Sequence, residues 1–434
     1  MTVKFITLGC KTNIYESEAM ARLFEKDGAV VVKDGKADIC VISTCTVTAQ
    51  GAAKSVKAIR RAKRENPGSI IAVCGCLSQT EPERIEKIGA DVIIGNKYRN
   101  EIVSLCKAAA GGEKIYKIDD ILKACEYEEL GLLRNQHRMR AEIKIEDGCN
   151  NFCSYCKIPY ARGPVRSRNI ENIVKEAKML IESGYFEIVL TGIHIGSYGK
   201  DLKDNISLAD VVTALGGVCG KARIRLGSLE PAVVTEEFIE KIKSVSGVCP
   251  HFHLSLQSGC DKTLKAMHRR YTTAEFENAV SRLREAFCDA SITTDVIVGF
   301  PGETEEDFKK SLEFCRKIGF AHMHIFPYSV REGTLAATLP EKVSDEEKDK
   351  RMKLMLNMAK EKKREFYSRF LNRKLLVLYE QEKDGFFSGT TENYLEVRAK
   401  GENLCGVIKE TLIEAVGEDF LIGRITDKNE RSIL

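Results

Sequence analysis

Cys149, Cys153 and Cys156 form a Cys-x3-Cys-x2-Cys spacing in the string Asp147-Gly148-Cys149-Asn150-Asn151-Phe152-Cys153-Ser154-Tyr155-Cys156. Three thiolates this close suit an iron–sulfur cluster that leaves one iron without a protein ligand. A structural zinc would close with four ligands, and no fourth Cys or His lies nearby. An iron left open in this way is a site for binding and one-electron chemistry rather than a structural staple.

A second set is spread through the first part of the chain: Cys10 in Leu8-Gly9-Cys10, Cys45 in Ser43-Thr44-Cys45, and Cys76 in Cys74-Gly75-Cys76-Leu77. Any one of these alone reads as a small buried hydrophobe. Each, however, follows a short β-branched run, and the C-terminal ends of parallel strands share one edge. Three cysteines in equivalent places therefore point to a second cluster, with Cys74 competing with Cys76. Cys40, Cys106, Cys125, Cys219, Cys249, Cys260, Cys288, Cys315 and Cys405 show no ligand spacing, and Cys260 also ends a strand.

These sites need scaffolds. Residues 3–8, 30–32, 39–43, 70–73 and 92–94 read as strands, and 17–26 and 54–64 as helices. The alternation predicts a Rossmann-like α/β domain with a parallel sheet over residues 1–130. Beyond Ala108-Ala109-Ala110-Gly111-Gly112 the pattern weakens, and the stretch through Asn135 reads as an appended segment and linker. From Arg138 it resumes, with strands at 143–145, 188–190, 224–226, 253–256, 294–298 and 322–326. Helices are predicted at 170–183, 235–245, 273–286 and 305–318. Six units give a partial (β/α) barrel over 138–368, with reactive loops after its strands and a solvated, charged connector helix at 344–370. Five short strands then predict a small all-β barrel over 371–434.

Across 434 residues, 43% hydrophobic and 30% charged content describes a soluble multidomain protein and excludes a disordered one. No apolar run reaches the roughly 18–20 residues of a membrane helix, so no membrane partner is expected. The opening MTVKFITLGCK is too short for a signal peptide. With 16 cysteines and no need for disulfides, the chain reads as cytoplasmic. The seven histidines are scattered along the sequence, with no Ser-His-Asp arrangement, Gly-x-Gly-x-x-Gly or phosphate loop.

The Cys149–Cys153–Cys156 motif resembles that of the radical-SAM enzymes, in which the open iron chelates S-adenosylmethionine and delivers an electron to form a 5′-deoxyadenosyl radical. The likeness extends along the chain. Thr7-Leu8-Gly9-Cys10-Lys11-Thr12-Asn13, Ser43-Thr44-Cys45-Thr46-Val47, Gly75-Cys76-Leu77-Ser78-Gln79, residues 147–168, Leu254-Ser255-Leu256-Gln257-Ser258-Gly259 and residues 295–304 resemble the tRNA methylthiotransferases. Ile158-Pro159-Tyr160-Ala161-Arg162-Gly163, Thr191-Gly192-Ile193-His194-Ile195-Gly196 and residues 264–273 are most similar to the branch acting on N6-threonylcarbamoyladenosine beside the anticodon. A sister branch acts on N6-isopentenyladenosine.

The resemblance implies an N-terminal methylthiotransferase domain, a radical-SAM barrel and a C-terminal TRAM domain. It implies two [4Fe–4S] clusters, S-adenosylmethionine, an external electron donor, a sulfur donor and a tRNA anticodon stem-loop. One S-adenosylmethionine would methylate sulfur on the N-terminal cluster. A second, on the Cys149/Cys153/Cys156 cluster, would yield the radical that takes hydrogen from adenine C2 before methylthio transfer. A radical is needed because that C–H is neither acidic nor a leaving-group site.

By position in the resemblance, Tyr155 would stack on the adenine of S-adenosylmethionine, and Thr191 and Gly192 would contact its methionine end. Glu230, beside Ser228, would hold its ammonium. Gln257 and the loop 299–302, with Gly299 and Gly302, complete the expected rim. For RNA, Arg162, Arg166 and Arg168 are candidates, with one of them expected to meet the substrate carboxylate. The basic helix of Lys54, Lys57, Arg60, Arg61, Lys63 and Arg64 is another candidate, or else a solvated face. Residues 371–434 hold nine Lys and Arg against twelve Asp and Glu, so RNA contact there needs a local face such as Arg398, Lys400, Arg424 and Tyr394. Rival readings are methylthiolation of isopentenyl-modified tRNA or of a ribosomal-protein aspartate, and a non-catalytic iron–sulfur RNA-binding sensor.

Overall fold

The computed structural model describes residues 1–131, 139–204 and 206–426. Asn135, Arg138 and residues 427–434, which the sequence reading used as boundaries, lie outside them. β1 (Thr2–Thr7), β2 (Val30–Val32), β3 (Ile39–Thr44), β4 (Ile70–Gly75), β5 (Val92–Ile94) and β6 (Ile115–Lys117) form one parallel sheet in the order 2-1-3-4-5-6. β3, β4 and β5 are continuous apolar runs because helices cover both faces. β6 corrects the reading of its surroundings as appended linker. It completes the sheet, and the chain after it is tied down: Glu128 pairs with Arg99 and Glu129 with Arg168, while Tyr127 donates to the Lys144 carbonyl at 2.9 Å.

Helix α1 (Lys11–Lys26) starts directly after Cys10 rather than at residue 17. Its first turns hid from an apolar pattern because the buried face there carries Thr12, Asn13 and Glu16. Helix α2 (Ala49–Glu65) is capped by Thr48, whose Oγ1 accepts from Gly51 N.

β7 (Arg140–Lys144), β8 (Glu187–Thr191), β9 (Arg223–Leu226), β10 (His251–Leu254), β11 (Ser291–Val298) and β12 (His322–Pro327) build the partial barrel. They lie in two parallel sheets bridged between Ile224 and Val248. Their period-two pattern sends Ile188, Leu190, Phe252, Leu254, Ile292 and Met323 to the helical layer. The opposite face carries Arg225, His251, His253, Thr293, Asp295, His322 and His324. Four of the seven histidines thus share one wall, a convergence their sequence positions conceal. The helix Leu208–Cys219 was not anticipated, since its Gly216-Gly217 pair lowers helix propensity, but Ser207 and Asp210 form a capping box. Asp345–Ser368 is not simply a solvated connector: Met355 and Met358 are buried in the barrel core.

β13 (Lys374–Lys383), β14 (Phe386–Thr391), β15 (Glu396–Ala399), β16 (Val407–Val416) and β17 (Leu421–Ile425) close a barrel in the order 13-14-15-17-16. Arg223 fixes it to the larger barrel by donating to the Thr390 and Leu376 carbonyls, both at 3.0 Å, and Arg225 donates to the Glu392 carbonyl at 2.9 Å. Among the described residues no helix is long and apolar enough to cross a membrane.

Candidate active site

The Cys149/Cys153/Cys156 loop leaves β7 through a two-residue strand, Glu146–Asp147, paired with Arg166–Ser167. Gly148 makes the turn at φ +90, and a Cβ there would stand 1.9 Å from the Pro164 carbonyl oxygen, so a side chain is excluded. Cys149 N donates to the Gly163 carbonyl and Cys156 N to the Cys153 carbonyl, each at 2.9 Å. Ser154 anchors the loop from both sides, donating Oγ to the Ala266 carbonyl and accepting at its own carbonyl from Ala336 N. Burial, reinforced by the neighbouring Cys153, pushes the Cys149 and Cys156 thiols up to about 12. Three thiolates gathered this closely require a compensating cation.

One such charge belongs to the protein. Arg269 donates Nη1 to Cys153 Sγ at 3.2 Å and pairs through Nη2 with Glu230 at 2.7 Å. Glu230 also accepts from Asn151 at 2.9 Å, and its other oxygen stands 3.2 Å from His194 Nε2. Burial alone would raise this carboxyl, but His194, Arg269 and Asn151 outweigh it and hold it down at about 2.

Cys10, Cys45 and Cys76 follow β1, β3 and β4, which are adjacent, so the three cysteines meet on one sheet edge. Burial raises the Cys76 thiol, and both Cys10 and Cys45 add to that rise. Cys74 faces the other way, into the core with Met20, Phe24 and Cys106. Cys260 lies apart from both sets, near Asp307.

Arg162, six residues past Cys156 and fully buried, reaches the N-terminal set. It donates Nε to Cys76 Sγ at 3.3 Å and Nη2 to Asn13 at 2.6 Å, and it pairs with Glu16 and Asp147. Lys144 bridges the same two carboxylates at 2.7 and 2.6 Å, and Arg99 reaches Glu16 at 3.2 Å. Burial would raise Glu16, but its three cations bring it to about 2.

This placement corrects the RNA assignment of Arg162, Arg166 and Arg168. All three are buried: Arg166 faces Asp147, and Arg168 is held by Glu129 and Glu176, leaving no guanidinium for phosphate. Arg398 pairs with Glu396 and stacks 3.7 Å over Phe420, whereas Lys400 is exposed.

A cavity of about 980 Å³ opens where the three parts of the chain meet. Cys10, Lys11 and Thr12 line it from the β1–α1 junction, and Thr191, Gly192, Ser228 and the histidine wall from the barrel. Tyr394 and Arg398 line it from the C-terminal module. Gly192 packs against Glu146, whose Oε2 accepts from Ile193 N at 3.0 Å and His194 N at 2.7 Å. The other expected rim residues gather elsewhere. Tyr155 packs edge-on to Phe300, 6.5 Å between ring centres, beside the 299–302 loop. Gln257 is buried at φ +66, bonded through its backbone to Asp295 and Ile297.

Residues 2–95 match an uncharacterized protein family, UPF0004, and residues 143–315 match the radical SAM superfamily. The threonylcarbamoyladenosine tRNA methylthiotransferase MtaB of Bacillus subtilis is 40% identical over 98% of this chain and 96% of its own. Its counterpart in Aquifex aeolicus is 37% identical over 95% and 100%. The chain belongs to the radical-SAM tRNA methylthiotransferase family.

The tRNA-2-methylthio-N(6)-dimethylallyladenosine synthase of Lachnoclostridium phytofermentans is also 37% identical, but over 83% of this chain and 80% of its own. The radical S-adenosylmethionine methyltransferase TsrM of Kitasatospora setae shares the fold, with a TM-score of 0.59 over 77% of both chains at 14% identity. In this methylthiotransferase no three His, Cys, Asp or Glu side chains among the described residues are arranged to close on one metal ion. A cluster makes a different demand, one thiolate on each of several irons. Both triads fit it, because each gathers three cysteines on one loop or one sheet edge with one arginine N–H aimed at a sulfur.

Sequence reasoning missed Arg269, Glu146, Glu16 and Lys144. Starting α1 at Lys11 would have put Asn13 and Glu16, one turn apart, on the face that follows Cys10. Arg269 lies far from the cysteines in sequence and carries no comparable local signal.

Proposed function

We propose that this methylthiotransferase converts N6-threonylcarbamoyladenosine at tRNA position 37 to its 2-methylthio derivative. It would do so in the cytoplasm, where the cysteines outside the two triads stay reduced. The observation that carries this reading is the pair of cysteine triads, each with an arginine N–H on one sulfur, the one at Cys76 coming from Arg162 in the segment that follows Cys156. Residues 1–130, 138–368 and 371–434 act as the sulfur-carrying, radical-generating and RNA-facing parts.

Cys149, Cys153 and Cys156 would hold one [4Fe–4S] cluster, and Cys10, Cys45 and Cys76 the other. The chemistry supplied there, with S-adenosylmethionine bound, is hydrogen removal from adenine C2 and delivery of a methylthio group. Arg269 balances thiolate charge at Cys153 and fixes Glu230. Glu146 shapes the Thr191–Gly192 turn through two backbone N–H groups. The cavity is where anticodon-loop adenosine would enter. An external electron donor and a sulfur donor complete the cycle.

The test is anaerobic reconstitution followed by mass spectrometry of nucleosides from defined anticodon stem-loops. Iron for two clusters, and methylthio product on the threonylcarbamoyl substrate, are expected. Full activity with iron for only one cluster would overturn the two-cluster reading, and product only on isopentenyl RNA would overturn the substrate.

A further inference from the structure

Adenine C2 and the amino-bearing C6 are both bonded to N1, so the reacting carbon and the N6 substituent share one edge of the base. A base presented to the sulfur-bearing triad therefore brings its N6 substituent to that triad as well. The residue after Cys10 is Lys11, exposed at the start of α1 and on the cavity wall.

The other cavity cations are largely committed. Arg140 pairs with Glu380 at 2.8 Å, Arg225 with Glu187 at 2.6 Å, Lys363 with Asp419 at 2.7 Å and Arg398 with Glu396 at 2.9 Å. Among the described residues Lys11 and the hairpin-tip Lys383 have no carboxylate partner, and of these two only Lys11 adjoins a triad cysteine. The α1 terminus adds to the positive character, since Cys10 makes no side-chain cap and the first turn holds no acidic residue.

The opposite wall supplies a second, independent feature. His251 is 8% exposed, and its Nδ1 has no hydrogen-bond partner, although its Nε2 meets Thr293 Oγ1 at 3.3 Å. Its ring stacks on Tyr394, 4.6 Å between centres, which fixes where that nitrogen sits. Lys11 and His251 line the same cavity.

We propose that Lys11, with His251 Nδ1 across the cavity, forms a subsite for a carboxylate on the N6 substituent of the substrate adenosine. The assignment rests on the function proposed above and deepens it. A carboxylate would satisfy both groups, whereas a purely hydrocarbon N6 group would strip water from Lys11 and return nothing. Lys11 thereby replaces the 162–168 arginines as the cation that selects the acidic substrate.

The experiment uses full-length, cluster-loaded protein and three anticodon stem-loops: the threonylcarbamoyl form, its carboxyl methyl ester, and the isopentenyl form. RNA affinity by fluorescence anisotropy is read alongside kcat/KM. Wild type should favour the free acid over the ester by about tenfold in both readouts. Lys11→Met should abolish that ratio, and Lys11→Arg should restore most of it. If Lys11→Met loads less iron, Lys11→Gln at matched iron content supplies the same comparison. A preserved acid-to-ester ratio in the Met or Gln variant overturns the subsite, as does a wild type indifferent to esterification. A wild type that methylthiolates only the isopentenyl RNA instead overturns the functional reading.

Discussion

Arg162 donates its Nε–H to Cys76 Sγ at 3.3 Å while its other nitrogens are taken by Asn13, Glu16 and Asp147. A residue from the loop of one triad thus touches a sulfur of the other. Hydrogen bonds to cluster sulfurs raise the reduction potential, because they stabilise the more negative reduced state. Arg162→Lys keeps a cation for Glu16 and Asp147 but cannot reproduce the planar fork. We expect it to retain iron and to lower the potential of the N-terminal cluster, measured by redox titration with electron paramagnetic resonance. Arg162→Ala leaves buried carboxylates short of a cation and should cost about 3–5 kcal/mol of stability. An unchanged potential in the Lys variant would show that the hydrogen bond does not tune the cluster.

Glycine contacts give a graded pair. A Cβ on Gly192 would stand 2.8 Å from Glu146 Oε2 and from Ile195 Cγ2, and side-chain shifts can relieve part of that. Gly192→Ala should cost about 1–3 kcal/mol and weaken S-adenosylmethionine binding by calorimetry. Gly148→Ala meets the Pro164 carbonyl at 1.9 Å from a φ of +90, so backbone must move and the Cys149 loop with it. Iron content per chain should fall further in Gly148→Ala than in Gly192→Ala, and the opposite order would contradict this account.

The elements that sequence predicted well are those with an ordinary apolar face. β3 and β4 alternate with α2 over a hydrophobic core, and their boundaries shift by only a few residues from expectation. Cysteine placement was legible for the same reason, since strand ends in a parallel sheet are forced together. Arg162 and Arg168 were misread because charge density marks a phosphate contact and a buried ion network equally well. Only the partners, Glu16 and Glu176, separate the two, and both are remote in sequence from the arginines or hidden on helices. The histidine wall was missed because β10 and β12 are contributed by segments about seventy residues apart.

Burial at Glu146 predicts an unusual pH dependence. Its carboxyl is raised to about 8, chiefly by burial, above its unfolded value near 4.5. Between those values the native state holds a proton that the unfolded chain has lost. Stability from this group is therefore complete below about 4.5 and declines as pH rises toward 8. Glu16 and Glu230, both held at about 2, act with the opposite sign and lose their contribution only as pH falls below about 4.5. Denaturant midpoints taken from neutral pH to above 8 should decline in wild type and flatten in Glu146→Gln. Parallel slopes in the two proteins would refute the assignment.

With the 162–168 arginines buried, the outer face of α2 is the next candidate for phosphate contact. Lys54, Lys57, Arg60, Arg61, Lys63 and Arg64 are all exposed there, and Arg60, Lys63 and Arg64 share a groove with Arg84 and Lys87. The helix starts beside the N-terminal triad, where a Cβ on Gly51 would lie 3.6 Å from Cys45 Sγ, and its basic face runs from there toward the opposite edge of the sheet. Each phosphate contact contributes about 0.9 to the slope of log affinity against log salt for a duplex stem. Replacing Lys57, Arg60 and Arg64 with Gln should weaken tRNA binding at low salt and reduce that slope by roughly 2–3. Because none of the three touches the cavity, the preference among N6 substituents should be unchanged. A wild-type slope in the triple variant would assign these side chains to solvent and move the RNA path toward Lys400 and the C-terminal barrel.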